Sequence, residues 1–301
     1  MKRLSVFVSV VLLLAMLCSA AMAESGLPQF PEMIRVDFEK GKYEDLPMEG
    51  LVSYPVNKTA FSEDGMRYSD ETLDIQLHKL RAFDTPIFMA YVQLSSPLQM
   101  RTEQARPYPS EATARTNVMG KRANAVLAVN GDWFVFHNAG IVYRQGKLLR
   151  DRAHVKYDGL FVDMDGNFHI VNPLTEEGFA AIGKPILNSF CFGPGLVKDG
   201  EIVDNSDRVI TYKQRMAIGQ LDELKYVIVC SDGPEERDSV GLSIPQISEI
   251  MQALGCSQAY NLDGGASTYM YFNFAKINGQ KAAKARSVGD IVYFVSAVPN
   301  E

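Results

Sequence analysis

The sequence predicts an α+β fold, a mixed and largely antiparallel sheet carrying two or three inserted helices. Three observations predict it. Short apolar runs recur along the 301 residues with Gly-containing turns between them, the pattern of strands joined by hairpins. Only a few stretches carry helix signals. A regular strand–helix–strand alternation is absent, and so is a GxGxxG nucleotide fingerprint, which argues against a doubly wound parallel sheet.

The elements follow in chain order. Met1-Lys2-Arg3, the apolar run Leu4–Leu17 and Ala21-Met22-Ala23 form a basic start, a hydrophobic segment and a small-x-small site. Residues 1–23 therefore read as a signal peptide, and the protein as exported to a periplasmic, cell-surface or extracellular place. The apolar run is short for a membrane span, which needs about 20 residues. No other run is long enough, so no span is expected after cleavage. Residues 24–66 read as a lead-in, partly irregular, and 67–298 as one domain. Thr72–Leu77 alternates as a strand does, and Pro86–Leu94 reads as a buried strand. A helix is expected between Ser110 and Ala123, with Ser110 as its N-cap and Glu111 in its first turn. Ala125–Val129 is apolar on both faces and reads as a central strand.

Hairpins are expected at Arg144-Gln145-Gly146-Lys147, Met164-Asp165-Gly166-Asn167 and Lys198-Asp199-Gly200-Glu201. Asp163–Asn167 has the opening look of a calcium loop but lacks the later Glu. Ser243 with Gln246 makes a capping box, Pro245 lies in the first turn, and Ile244, Ile247, Ile250, Met251 and Leu254 form one stripe that Gly255 ends. Tyr226–Cys230, Ala259–Leu262, Thr268–Phe274 and Ile291–Val298 read as the remaining strands.

The net charge of −6 becomes more negative once Lys2 and Arg3 leave with the leader. Such a chain has no electrostatic affinity for nucleic acid. Of the four cysteines, Cys18 lies in the leader. Cys191, Cys230 and Cys256 sit in apolar runs and read as small core residues, not as a disulfide framework. The four histidines, His78, His137, His154 and His169, lack zinc-ligand spacing, and no GxSxG elbow or phosphate-binding P-loop is present. No metal or cofactor is expected.

Three stretches put polar residues and glycines directly after an apolar strand. In Asn130-Gly131-Asp132-Trp133 a carboxylate precedes the only Trp of the chain. An aromatic face can stack on a sugar ring while the carboxylate takes a hydroxyl or moves a proton. Ser231-Asp232-Gly233 offers a second carboxylate at a strand end, although an Asx turn would look the same. In Asn261-Leu262-Asp263-Gly264-Gly265-Ala266-Ser267-Thr268 the paired glycines would let successive N–H groups form an anion nest. The acid beside that nest is what general-acid cleavage of a sugar-phosphate bond requires. A plain glycine bulge is the structural alternative. Arg215 and Arg286 precede apolar runs and could supply cations, or could be ordinary surface charges.

Six stretches, Asn130-Gly131-Asp132, Phe192–Val197, Arg215–Gly219, Ser231-Asp232-Gly233, Asn261–Thr268 and Arg286-Ser287-Val288, stand in order along the chain. In that order and spacing they resemble the phosphodiester glycosidase family, whose bacterial members are described as exopolysaccharide-related proteins. The resemblance runs from about Tyr68 to Val295. It implies an enzyme that cleaves the bond between an anomeric carbon and a phosphodiester. Carried over by position, it implies a pocket of Asn130, Asp132, Arg215, Asp232, Asp263, Gly264, Gly265, Ser267 and Arg286. Trp133 and Asn261 are further candidates for substrate binding. Ala266 and Thr268 stand where the family often has Gly and Ser. Pro234 and Ala285 stand where it often has a basic and an acidic residue, which bears on substrate identity. The expected chemistry has Asp263, Asp132 and Asp232 as the catalytic carboxylates. Arg215, the Gly264-Gly265 backbone and Ser267 would hold the phosphodiester. The rival readings are a non-catalytic polysaccharide-binding protein and a metal-dependent phosphoesterase with the three aspartates as ligands.

Overall fold

The structure is a computed structural model and describes residues 26–39, 54–207, 210–279 and 285–299. The expected signal peptide lies outside the described residues. Strands are numbered along the chain. An eight-stranded sheet has the spatial order β1 (Arg67–Ser69), β2 (Leu73–Ala82), β3 (Thr85–Leu94), β14 (Lys225–Ser231), β13 (Met216–Asp222), β15 (Gln258–Asn261), β11 (Gly195–Lys198), β12 (Glu201–Ile202). A five-stranded sheet runs β17 (Ala275–Lys276), β16 (Met270–Phe272), β5 (Leu127–Asn130), β18 (Asp290–Phe294), β4 (Met100–Gln104). A three-stranded sheet, β10 (Ile186–Phe190), β8 (Gly159–Asp163), β9 (Phe168–Val171), and a hairpin, β6 (Gly140–Arg144) with β7 (Lys147–Arg152), complete the strands described. The pairings among them are antiparallel. The helices are α1 (Thr116–Arg122), α2 (Glu176–Ala180) and α3 (Ile244–Ala253). The α+β expectation holds, with its strands shared among four sheets.

Side-chain alternation explains the layering. In β3, Phe88, Ala90 and Val92 enter the main core, while Ile87, Met89 and Tyr91 face the other way. In β5, Leu127 and Val129 enter that core and Ala128 faces away. The main core therefore fills the space between the two large sheets, and each sheet also buries its outer face. Helix α3 covers the outer face of the eight-stranded sheet with Ile244, Ile247, Ile250 and Met251. Each such side chain stabilises by about 1.5–3 kcal/mol when fully buried. Helix α1 covers the outer face of the five-stranded sheet through Met119. This double burial is why the strands read as continuous apolar runs.

The α3 signals are met in full. The Ser243 side chain accepts from Gln246 N, the Gln246 side chain returns to the Ser243 backbone, and Gly255 has φ +82°. At Gln145-Gly146 both φ angles are positive, 51° and 76°, which suits a two-residue turn matched to strand twist. The hairpins expected at Asp165-Gly166 and Asp199-Gly200 also form.

Three expectations need correction. The helix expected from Ser110 begins at Thr116, and its N-cap, Arg115, makes no side-chain capping bond. Ala114 pairs its backbone with Val288, which keeps the preceding residues extended, and Ser110 instead accepts from Ala112 N. The strand expected over Thr268–Phe274 is only Met270–Phe272. Thr268 N closes a turn on Gly265 O, and Asn273 and Phe274 (φ 47° and 62°) turn the chain into β17. The last strand runs over Asp290–Phe294, after which Val295 N leaves the ladder for Gln99 O.

Part of the lead-in is docked. Leu27, Phe30 and Met33 lie against the α3-side core, and Gln76 and Gln93 side chains bond the backbone of Ile34 and Val36. Cys191, Cys230 and Cys256 are free thiols in the core, and burial pushes the Cys191 thiol up to about 12.

Candidate active site

Both large sheets bring polar residues to one end. Strands β5, β14 and β15 finish there, at Asn130, Ser231 and Asn261, and β13 and β18 begin there, after Arg215 and at Asp290. The sheets are joined at this end by the backbone of one turn. Asn130 Nδ2 donates to Asp263 O at 2.7 Å, Asp263 N donates to Gly131 O, and Asn130 Oδ1 accepts from Tyr269 N. Asn130 is thus a buried strut that sets Asp263 beside the end of β5. Asn261 is a second strut, donating from Nδ2 to Gly193 O at 2.8 Å. Both were expected to bind substrate, and the hydrogen bonds of both go to backbone.

Asp132 is buried, and both of its oxygens are occupied. Oδ1 accepts from Arg144 Nη2 at 3.0 Å, and Oδ2 from Cys191 N at 2.7 Å. The same Arg144 Nη2 bonds Asp290 Oδ2 at 2.7 Å, so one guanidinium serves two buried carboxylates. The rings of Phe134 and Phe190 lie against that guanidinium at 4.5 and 5.1 Å. Burial, and then the charge of Asp132, raise the Asp290 carboxyl to about 7 despite Arg144. Asp290 Oδ1 is buried without a protein partner and faces Gly131, where an added Cβ would stand 2.4 Å from it. Asp132, expected as a catalytic carboxylate, is tied through Arg144 into a buried ion-pair cluster with Asp290.

The Asp263 turn is arranged differently. Oδ2 accepts from Arg286 Nη2 at 2.9 Å, and Ser267 Oγ accepts from Arg286 Nη2 and Nε at 2.6 and 2.9 Å. Asp263 is mostly buried, whereas the Arg286 side chain is 51% exposed. Burial raises the Asp263 carboxyl above its ordinary value, against the lowering by Ser267, Arg286 and Gly264 N. The open anion nest expected of the glycines is not formed. Gly264 N donates to Asp263 Oδ1 and Gly265 N to Gln214 O, and residues Gly265–Ser267 make a single 3-10 turn. Beside this turn Arg286, half exposed, presents its outer edge to solvent.

Arg215 is not brought to Asp263. Its guanidinium donates to Leu242 O and to Thr211 O and Oγ1, and only its backbone approaches Gly264. Its side chain pins two loops, because backbone carbonyls at the β13 entrance offer the nearest acceptors. Asp232 is brought to the turn, across a cavity of about 180 Å³ that Gly265, Ala266, Thr268 and Lys276 also line. Burial raises its carboxyl above the ordinary range. Trp133 is 42% exposed, with Phe136 at 5.5 Å between ring centres and His137 at 6.4 Å. His137 stacks on Tyr157, and burial lowers its imidazole below the ordinary value. Among the described residues no three His, Cys, Asp or Glu side chains group as metal ligands would.

Sequence reasoning missed Arg144, Asp290 and Lys276. Asp290 carries the same signal as Asp132, an acid at the end of an apolar strand. Arg144 stands at a hairpin turn, where a charged residue carries no signal of a buried role. Lys276 has no local signal, because its setting is made by a turn between β16 and β17.

A sequence profile described as phosphodiester glycosidase matches residues 123–295. That span exceeds half of the chain and contains Asn130, Asp132, Arg144, Arg215, Asp232, Asp263, Ser267, Arg286 and Asp290. The chain belongs to the phosphodiester glycosidase family. An uncharacterized SPbeta prophage-derived protein of Bacillus subtilis, YomE, is 29% identical over 184 residues, 57% of this chain and 28% of that relative. The chain therefore spans little more than a quarter of it. In fold, the chain is similar to the catalytic domain of zebrafish N-acetylglucosamine-1-phosphodiester alpha-N-acetylglucosaminidase, auto-inhibited by its pro-peptide. The TM-score is 0.60 at 16% identity, over 81% of this chain and 87% of that one. A hypothetical protein from Synechocystis is similar at a TM-score of 0.54 and 16% identity, over 75% and 62% of the two chains. At these identities the likeness is one of fold. Among the described residues no helix is long and apolar enough to cross a membrane.

Proposed function

We propose that this phosphodiester glycosidase family member is an exported hydrolase that releases a sugar from a sugar-1-phosphodiester on a cell-surface or extracellular glycan. The observation that carries the reading is the Asp263–Ser267–Arg286 constellation. A mostly buried carboxyl with a raised pKa touches an arginine that is half open to solvent. The outer edge of Arg286 takes a phosphodiester oxygen through charge-assisted bonds. Ser267 and the Asp263 carboxylate hold the guanidinium in place from behind. Asp263 donates a proton to the oxygen between the anomeric carbon and phosphorus, a task that a raised pKa suits. The C–O bond breaks and the phosphomonoester leaves with the proton from Asp263; water adds its oxygen to the anomeric carbon and returns a proton to Asp263. Asp232 lines a cavity together with Gly265, Ala266 and Thr268 of that turn, a second carboxyl within the same end of the fold. Asn130 and Asn261 hold the turn that carries Asp263, and the exposed Trp133 offers a ring for stacking on glycan.

Hydrolysis of a sugar-1-phosphodiester in oxygen-18 water tests the reaction. Label in the released sugar is expected. Label in the phosphate would make the protein a phosphoesterase, and absence of release would leave a polysaccharide-binding protein. Export rests on Met1-Lys2-Arg3, the Leu4–Leu17 run and Ala21-Met22-Ala23. The expected mature N-terminus is Glu24, to be read by sequencing the secreted protein.

A further inference from the structure

We propose that the end of the fold carrying the candidate active site is a docking surface for a lipid bilayer, entered by exposed apolar side chains of four loops. The proposal uses the export reading above but not the hydrolase one.

Exposed apolar residues scattered singly need no explanation. Here, of the eleven large apolar side chains exposed among the described residues, six stand on loops at this one end: Trp133, Phe136, Val155, Ile210, Tyr212 and Val240. Trp133 and Phe136 follow β5, with their rings 5.5 Å apart. Val155 belongs to the loop whose Tyr157 stacks on His137 at 4.9 Å, and His137 stands 6.4 Å from Trp133. Ile210 and Tyr212 precede β13, and Val240 precedes α3. Those two loops are fastened side by side. Lys213 and Leu242 pair through their backbones, and Arg215 donates to both Thr211 O and Leu242 O.

Where the chain enters the fold points to what meets this surface. Gly26, the first described residue, accepts at its carbonyl from Phe83 N at 3.1 Å. Phe83 lies in the hairpin between β2 and β3. That hairpin is at the same end, since Ile87 pairs with Ser231 and Asp232 N donates to Pro86 O. Thr85 Oγ1 donates to Gly241 O at 3.0 Å, next to Val240. Gly26 is thus fixed beside the apolar loops, and the docked Leu27, Phe30 and Met33 hold it there. The apolar run Leu4–Leu17 ends nine positions before Gly26, a reach of at most roughly 30 Å. While that run lies in the membrane during export, this end of the fold is the one kept close to the bilayer.

The residue types fit a bilayer interface. Trp and Tyr rings suit the head-group level, and Phe, Ile and Val suit the acyl boundary beneath it. A net charge of −6 gives the protein no general attraction to anionic lipid. Apolar area therefore carries the contact, and head-group charge does not.

Trp133 is the only tryptophan of the chain, so its fluorescence reports this surface alone. The protein from Glu24 onward, which keeps every described residue, is mixed with phosphatidylcholine vesicles whose acyl chains are brominated. Its emission is expected to move to shorter wavelength and to be quenched by the bromines. Both changes should persist in about 0.5 M salt, where charge is screened within a few ångströms. Ile210→Ser combined with Val240→Ser is expected to weaken partition about tenfold or more, and Val155→Ser about threefold. Ile202→Ser, on the edge strand β12, should leave partition unchanged. The double variant should turn over a water-soluble sugar-1-phosphodiester as the wild type does. Absence of quenching, partition weakened equally by Ile202→Ser, or binding confined to anionic vesicles and lost in salt would overturn the proposal. Self-association of the lipid-free protein that the double variant abolishes would assign the surface to a second copy of the chain and overturn it as well. Vesicle docking by a protein without turnover would uphold the surface and sink the hydrolase reading.

Discussion

Two aspartate–arginine pairs lie at the same end of this molecule, and they differ in almost everything except bond length. Asp132–Arg144 closes at 3.0 Å with side chains 0% and 2% exposed; Asp263–Arg286 closes at 2.9 Å with 10% and 51%. In the first, every oxygen of Asp132 has a donor and the arginine is shared with Asp290 between two aromatic rings. Both Asp263 oxygens are also taken, by Gly264 N and Arg286, so what separates the pairs is the exposure of the arginine. In the second, the carboxyl is desolvated on its inner side while the arginine keeps donors toward solvent. A buried pair with all partners satisfied is architecture, because breaking it strands a charge. A pair that is half open can exchange protein partners for a ligand.

The sharpest way to test this division is Asp263→Asn. It is expected to lower kcat for sugar release by about 10²–10⁴-fold, the usual contribution of a positioned acid. Its thermal midpoint should stay near that of the wild type, because Asn can still accept from Gly264 N. A large fall in stability with little change in rate would reverse the roles assigned here. Arg144→Met should do the opposite. Two buried carboxylates lose their counter-charge, so a destabilisation of about 3–5 kcal/mol is expected in denaturant unfolding. Adding Asp290→Asn to that variant should restore part of the loss.

Arg286→Gln removes a charge from the open pair. KM for the phosphodiester should rise about tenfold or more, and the salt dependence of KM should weaken; a change confined to kcat would contradict an anion grip. Asp290 makes a prediction in pH. Its folded-state pKa is raised from 3.8 to about 7, so between these values the folded protein holds more protons than the unfolded chain. Its stabilising contribution is complete below the lower value and is lost as pH rises toward the upper one. Asp290→Asn should flatten the stability curve over that window, as read by unfolding across pH. The smallest effect belongs to Gly265→Ala. The φ of +58° is left-handed, yet no atom lies within 4 Å of the new methyl. A cost of about 1 kcal/mol from backbone strain alone is expected, with the Asp263 turn still formed and Ser267 still bonded to Arg286.

Much of the fold was legible because its signals are local. The period-2 alternation of Phe88 to Val92, the capping box of Ser243 and Gln246, and the glycine turns at Gly146, Gly166 and Gly200 each act over a few residues. The short reach of a local signal also explains the misses. Ser110 resembles an N-cap in sequence, but the pairing of Ala114 with Val288 holds that stretch extended. Asn273 and Phe274 carry no glycine to announce their turn.

At the candidate site, the sequence by itself determined which residues gather. Asn130, Asp132, Asp232, Asp263 and Arg286 each stand just beyond or before an apolar strand, and strands that pair end to end must bring them together. Only the tertiary structure decided what each one touches. Asp132 meets an arginine twelve positions away, and that arginine meets Asp290, a further 146 positions along. Arg215 turns to the carbonyls of Thr211 and Leu242 instead of the Asp263 turn. The reason is physical: a side chain's chemistry is written in its residue type, but its burial and its partners come from elements remote in sequence. Burial and partners are what separate a carboxylate that holds the frame from one that can give up a proton.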